Sequence, residues 1–207
     1  MLAGLHQKNY QYRKRGMKRA LLASYKKDGD LLRLAALLEK YGWSLCGSTG
    51  TAKYLNEHGH PCQDVAEIVG PPILGHRVVT LARRIHAALL STPEDSPELD
   101  RLVIRPFGLV YVTFYPLEQT IADPKSKPAD VIEKTDIGGP TLLRAAAKGR
   151  RLVLSDPSQI DLVQAWFERG SPESEHERLV TRLVAAAERR VADYVGASAT
   201  YWEQRVS

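Results

Sequence analysis

Two cysteines in 207 residues are too few for a disulfide scaffold. Cys46 sits inside an apolar run and Cys62 follows a proline, with no second cysteine at metal-ligand spacing from either. The six histidines are scattered, and the His58-Gly59-His60 pair has no cysteine or carboxylate at ligand spacing beside it. The expectation is two small buried thiols and no metal. The chain also lacks any apolar run near the roughly 18 residues that cross a bilayer, and its basic start is not followed by the apolar segment of a signal peptide. Internal repeats and low-complexity segments are absent as well. A soluble, cytoplasmic protein with no membrane partner is expected.

Charge of one sign is scarce once it is located. The formal charge is +5, and Lys8, Arg13, Lys14, Arg15 and Lys18 account for all of it within residues 1–18, which hold no acid. The body from 19 to 207 is neutral, so the clustered cationic face needed to track a phosphate backbone is missing and no nucleic-acid partner is expected. Residues 1–18 read as a basic, disordered leader without hydrophobic periodicity, 19–157 as a nucleotide-binding domain, and 158–207 as a helical extension packing on it.

What is present is a run of strand-loop-helix units. Residues 20–24 read as a buried strand, Lys27-Asp28-Gly29 as a turn and 31–38 as a helix ending near Gly42. A second unit follows: 43–46 as strand, Gly47 to Thr51 as loop, 52–58 as helix, then 62–65 as a short strand. Residues 77–90 read as largely helical and 92–97 as an acidic, proline-containing loop. The segment 108–115 is β-branched and aromatic and makes the best central strand. After a loop at 123–128 come a short helix at 129–134, a helix at 141–148 with Pro140 in its first turn, and a last strand at 152–155. Such units predict an α/β fold: a mainly parallel central sheet with helices on both faces. Leu179, Val180, Leu183, Val184, Ala187, Val191 and Tyr194 form one apolar stripe on the C-terminal helix, suited to core or to a homodimer contact.

Two segments carry chemistry. Gly47-Ser48-Thr49-Gly50-Thr51 joins a strand to a helix, where open N–H groups and the helix dipole favour a phosphate; a helix cap would use the same residues. Lys27 either points to the same end of a parallel sheet, where such folds bind ligands, or is a solvated surface lysine. Asp136-Ile137-Gly138-Gly139-Pro140 opens a helix with unpaired amides, Asp136 is placed to cap or to exchange protons, and Lys148 lies about two turns further along the helix, unless the pair is only a helix cap and an exposed lysine.

The block from Asp136 to Lys148 resembles IMP cyclohydrolase, the N-terminal half of the bifunctional purine-biosynthesis enzyme whose other half is AICAR formyltransferase. Other blocks agree in order: Lys27-x-Gly29, Ser48-Thr49-Gly50-Thr51-Ala52-Lys53, Gly75-x-Arg77-Val78-x-Thr80-Leu81, Ile85-His86, Phe114-Tyr115-Pro116, Ala192-x-Tyr194 and Tyr201-Trp202. The Ser-Thr-Gly-Thr loop is shared with other methylglyoxal-synthase-like folds, and the later block sets this family apart. The resemblance implies a methylglyoxal-synthase-like fold, a homodimer, and a hydrolase of the cyclic-amidine class that needs no cofactor and no metal. Its substrate would be a purine ribonucleotide precursor, 5-formamidoimidazole-4-carboxamide ribotide, closed to IMP with loss of water. By the same resemblance Lys27, Ser48, Thr49, Gly50, Thr51, Arg77, Thr80 and Thr113 bind substrate, with the amides of Ile137 and Gly138 facing it. Tyr115, Asp136 and Lys148 are the implied catalytic groups. The formyltransferase half lies outside the resemblance, which implies a separate AICAR formyltransferase as supplier.

Three positions depart from the family pattern. Val79 replaces a catalytic lysine, Thr113 an asparagine, and Tyr25-Lys26-Lys27 the usual Ser-Asp-Lys. Lys26, His76, Arg83 or Arg84 would then supply the missing positive charge. The alternative reading is a catalytically weakened paralogue that binds a purine nucleotide as sensor or partner subunit, and a third is ring closure on a modified imidazole ribotide.

Overall fold

The computed structural model describes residues 18–75 and 77–206, so the leader expected at 1–18 lies outside the described residues apart from Lys18. Five strands form one sheet among them: β1 (Arg19–Ser24), β2 (Ser44–Gly47), β3 (Cys62–Asp64), β4 (Leu109–Thr113) and β5 (Leu152–Leu154), in the order β3-β2-β1-β4-β5 with every pairing parallel. Ala20, Leu21 and Leu22 of β1 and Leu109 to Val112 of β4 are buried on both sides, as a parallel sheet requires.

Two helices follow the first two strands, α1 (Gly29–Lys40) and α2 (Thr49–Glu57). Asp28 caps α1 by accepting from Leu31 N at 3.2 Å, and Gly42 at φ 74° turns the chain into β2. The single turn α3 (Ala66–Val69), then α4 (Arg83–Leu90) and α5 (Ser96–Leu102), lead to β4. Beyond β4 come α6 (Leu117–Ala122), α7 (Pro128–Glu133) and α8 (Gly138–Lys148), and after β5 α9 (Ile160–Glu168) and α10 (Glu173–Glu203). Right-handed crossovers to β2 and β3 run one way from β1, and the crossover from β4 to β5 through α8 runs the other. The α1/α2 pair and α8 therefore cover opposite faces, and the sheet reverses direction between β1 and β4.

The structure corrects the reading in two places. Residues 77–82 are not helical: Ile73 and Val78 form an antiparallel bridge, and helix begins only at Arg83. Val78, Val79 and Thr80 are consecutive β-branched residues, which lose χ1 freedom in a helix. The 92–97 segment is not a plain loop. Asp95 accepts from Thr92 N at 2.7 Å and from the Thr92 hydroxyl at 3.1 Å, opening a 3₁₀ turn that runs into α5. The sequence Thr-Pro-Glu-Asp is a helix-start pattern as well as a loop pattern. The C-terminal stripe takes the first of its two expected roles: Val180, Leu183, Ala187, Val191 and Tyr194 are buried, and α10 packs on α8 and β5.

Both cysteines are free and buried. Desolvation pushes the Cys46 thiol up to about 11 and that of Cys62 to about 12, so both stay protonated and inert at neutral pH. No helix among the described residues is long and apolar enough to cross a membrane.

Candidate active site

The carboxyl ends of β1, β2 and β4 open into a cavity of about 750 Å³, at the point where the sheet order reverses. Its walls include Lys27, Ser48, Thr49, Gly50, Arg77, Thr80, Thr113, Tyr115, Asp136, Ile137 and Gly138, brought together from the βα turns and the segment before α8. The volume suits a nucleotide-sized ligand.

One cluster is cationic and rich in backbone amides. Ser48 N is committed to Leu22 O at 3.0 Å, and Thr49, Gly50 and Thr51 then open α2 with its positive dipole end. The Lys27 ammonium donates to Ser24 O, and its chain passes so close to Gly50 that a Cβ there would meet Lys27 Cε at 3.9 Å. Burial lowers the Lys27 pKa, partly offset by Asp28. The loop hydroxyls are engaged locally: Ser48 Oγ donates to Thr51 Oγ1 at 2.9 Å and Thr49 Oγ1 to Asp64 at 3.0 Å.

The second cluster surrounds a carboxylate. Asp136 Oδ1 accepts from Gly139 N at 2.8 Å, so the side chain is folded over the first turn of α8. Desolvation raises the Asp136 pKa, opposed by hydrogen bonds from the Gly139 and Tyr115 backbones. A Cβ at Gly139 would lie 2.7 Å from Asp136 Oδ2 and 2.9 Å from Phe114 Cδ1, so only glycine fits. Desolvation, then the charges of Asp136 and Glu133, push the Tyr115 phenol up, keeping it a hydrogen-bond donor. Thr80 closes this cluster, its hydroxyl 2.9 Å from where a Gly138 Cβ would stand.

Two implied site residues do not reach the cavity. Lys148 ends α8, whose eleven residues carry it roughly 15 Å from Gly138, and it lines a different cavity with Lys18, Trp43 and Phe167. Thr51 is fully buried behind the loop, where its hydroxyl accepts from Ser24 N at 3.1 Å and donates to Ser24 O at 3.3 Å. Thr113 does line the cavity, yet its hydroxyl accepts from Tyr25 N at 2.9 Å and Lys26 N at 3.3 Å and pairs with Ser24 Oγ at 2.7 Å. That fills one donor and two lone pairs, so Thr113 fastens the β1 turn.

Of the cations expected to replace a charge at Val79, the three among the described residues do not line this cavity: Lys26 and Arg83 are exposed, and Arg84 donates to Val103 O at 2.7 Å beside a separate cavity. His76 lies outside the described residues. Val79 itself is an apolar part of the wall. Sequence reasoning missed Tyr25, Glu133 and Trp202 as lining residues, Gly139 as a steric necessity, and Tyr194 behind Asp136. Among the described residues no group of three or more His, Cys, Asp or Glu side chains is placed to hold a metal ion.

The parallel sheet, the amide-rich loop and the half-buried Asp136 carboxylate at its switch point belong to a chain with a known family. The model of the MGS-like domain matches residues 30–141, and the chain belongs to that family. Within it the chain is 45% identical over 148 residues to the bifunctional purine biosynthesis protein PurH of Thermosynechococcus vestitus, covering 69% of this chain and 29% of that protein. To PurH of Synechocystis sp. it is 42% identical over 158 residues, 73% of this chain and 31% of the relative. The chain thus spans under a third of the length of these relatives. A crystal structure of ForH superposes with a TM-score of 0.76 at 32% identity, covering 90% of this chain and 99% of that one.

Proposed function

We propose that the chain is a stand-alone IMP cyclohydrolase-like enzyme that closes 5-formamidoimidazole-4-carboxamide ribotide to IMP and water. The observation that carries this reading is one cavity holding the Lys27 and Ser48–Gly50 cluster together with the Asp136 and Tyr115 cluster. The similarity to PurH supports the choice of reaction.

In the reaction the carboxamide nitrogen attacks the formyl carbon, forming the new C–N bond. The formyl oxygen then leaves as water, with one proton from the carboxamide nitrogen and one from the formamide nitrogen. Lys27 and the open amides of α2 hold the phosphate. The desolvated Asp136 carboxylate takes the nitrogen proton and returns it to the departing oxygen, a shuttle that its raised pKa favours in both directions. Tyr115 donates to the reacting carbonyl group, and the amides of Ile137 and Gly138 at the start of α8 add fixed dipoles. Arg77 and Thr80, which line the same cavity, contact the ligand. In this reading a separate AICAR formyltransferase supplies the substrate, and the chain acts as a homodimer.

The test pairs IMP binding with single-turnover conversion of the formylated ribotide, followed by absorbance. Turnover supports the enzyme. Tight IMP binding with turnover appearing only in Val79→Lys supports the nucleotide-binding paralogue instead.

A further inference from the structure

Resting on the cyclohydrolase reading, we propose that Lys134 is a substrate-contacting cation of this cavity, held on the rings of Tyr25 and Tyr115 to meet the negative charge that develops on the formyl oxygen.

Among the described residues the cations lining the cavity are Lys27 and Arg77. Lys27 is tied to the Ser24 and Tyr25 carbonyls beside the phosphate loop, and Arg77 Nε donates to Leu74 O at 3.0 Å on the exposed 73–78 turn. Around Asp136 the lining side chains are acidic, aromatic, apolar or hydroxyl-bearing: Glu133, Tyr25, Tyr115, Val79, Ile137 and Thr80. Ring closure beside two acids places a developing oxyanion in a field of its own sign, and such a step needs a preorganised positive group.

Lys134 is the cation that the fold brings to this place. Its Nζ lies 5.9 Å from the ring centroids of both Tyr25 and Tyr115, whose rings meet edge to face at 5.3 Å. Both rings line the cavity, as do Glu133 and Thr135 on either side of Lys134; the lysine itself is not a lining residue and rests against the two rings that are. Its backbone is fixed from two sides. Lys134 N donates to Asp130 O at 3.0 Å, and Lys134 O accepts from the Tyr194 hydroxyl at 3.0 Å, the same oxygen that receives Asp136 N at 2.7 Å. One buried hydroxyl therefore sets the lysine and the carboxylate relative to each other. The flexible lysine stem then lets the ammonium leave the ring faces for a ligand oxygen without moving that frame.

Equilibrium binding of two nucleotides tests the assignment independently of turnover. IMP carries only hydrogen at C2, the carbon that derives from the formyl group, whereas xanthosine monophosphate carries there an oxygen with anionic character at neutral pH. Lys134→Met is expected to weaken xanthosine monophosphate roughly 10- to 100-fold and IMP by less than about twofold, with Lys134→Arg retaining most of the affinity. In the turnover assay Lys134→Met should lower kcat about a hundredfold while KM stays nearly constant. Equal loss of both nucleotides, or loss of neither, overturns the role of Lys134 and leaves the cyclohydrolase reading standing. Failure of the unmodified protein to bind either nucleotide overturns both.

Discussion

The Tyr194 hydroxyl accepts from the Asp136 backbone N–H at 2.7 Å, and so ties the C-terminal helix to the segment that carries the Asp136 carboxylate into the cavity. Burial pushes this phenol up to about 12, and its proton stays on to reach Lys134 O. Its ring packs on Phe114 at 4.7 Å, next to Tyr115 in the chain. Tyr194→Phe keeps that ring and removes the bridge. We expect a stability loss of about 1–3 kcal/mol, measured by urea unfolding, and a fall in kcat larger than any change in IMP affinity.

Gly139→Ala should separate geometry from chemistry. The new methyl would press on Asp136 Oδ2 and the Phe114 ring, displacing the carboxylate while every titratable group remains. Overpacking of this kind typically costs about 1–3 kcal/mol, so the variant folds less stably but folds. Its circular dichroism should match the parent, and its turnover should fall at least about a hundredfold, since the displaced group loses its alignment.

The raised pKa of Asp136 has a stability consequence with a defined sign. A carboxyl whose folded pKa lies above its unfolded value holds its proton more tightly when folded. Its contribution is therefore fully present below the ordinary carboxylate pKa and is lost as pH rises through the folded value. Asp136→Asn keeps an acceptor for Gly139 N and does not titrate. Thermal unfolding from pH 4 to pH 8 should show the Asn variant gaining on the parent as pH rises. A difference independent of pH would refute the desolvation account.

Most of the sheet was legible because buried parallel strands are short apolar runs between turn signals, as at Leu21, Cys46 and Val110. The placement of the Ser48–Thr51 turn and of Asp136 at helix starts was legible for a related reason: glycine and capping residues are dictated locally. What could not be read was anything set by long-range packing. Lys148 looked paired with Asp136 in sequence, yet helix rise carries it to the far end of α8. Thr51 and Thr113 looked like ligand contacts, and only the β1 turn wrapped around them shows their hydroxyls filled. Tyr194 read as part of an apolar stripe, since nothing near it in the chain reveals that its oxygen meets a segment 58 residues away.

Lys27→Met should act on binding rather than on chemistry. With the ammonium gone from the start of α2, IMP affinity should drop roughly tenfold or more, and the loss should shrink as salt rises, because the missing contribution is charge on phosphate. Titration calorimetry at low and high ionic strength reads both. An unchanged affinity would place the phosphate elsewhere in the cavity.

The most direct measurement is single-turnover IMP formation by the unmodified protein, Asp136→Ala and Lys148→Met side by side. The account predicts IMP from the unmodified protein, a loss of at least about a hundredfold in Asp136→Ala, and a rate within about threefold of the parent in Lys148→Met. Full activity in Asp136→Ala, or a collapse in Lys148→Met that equals it, would contradict an active site built on Asp136 at the carboxyl ends of the strands.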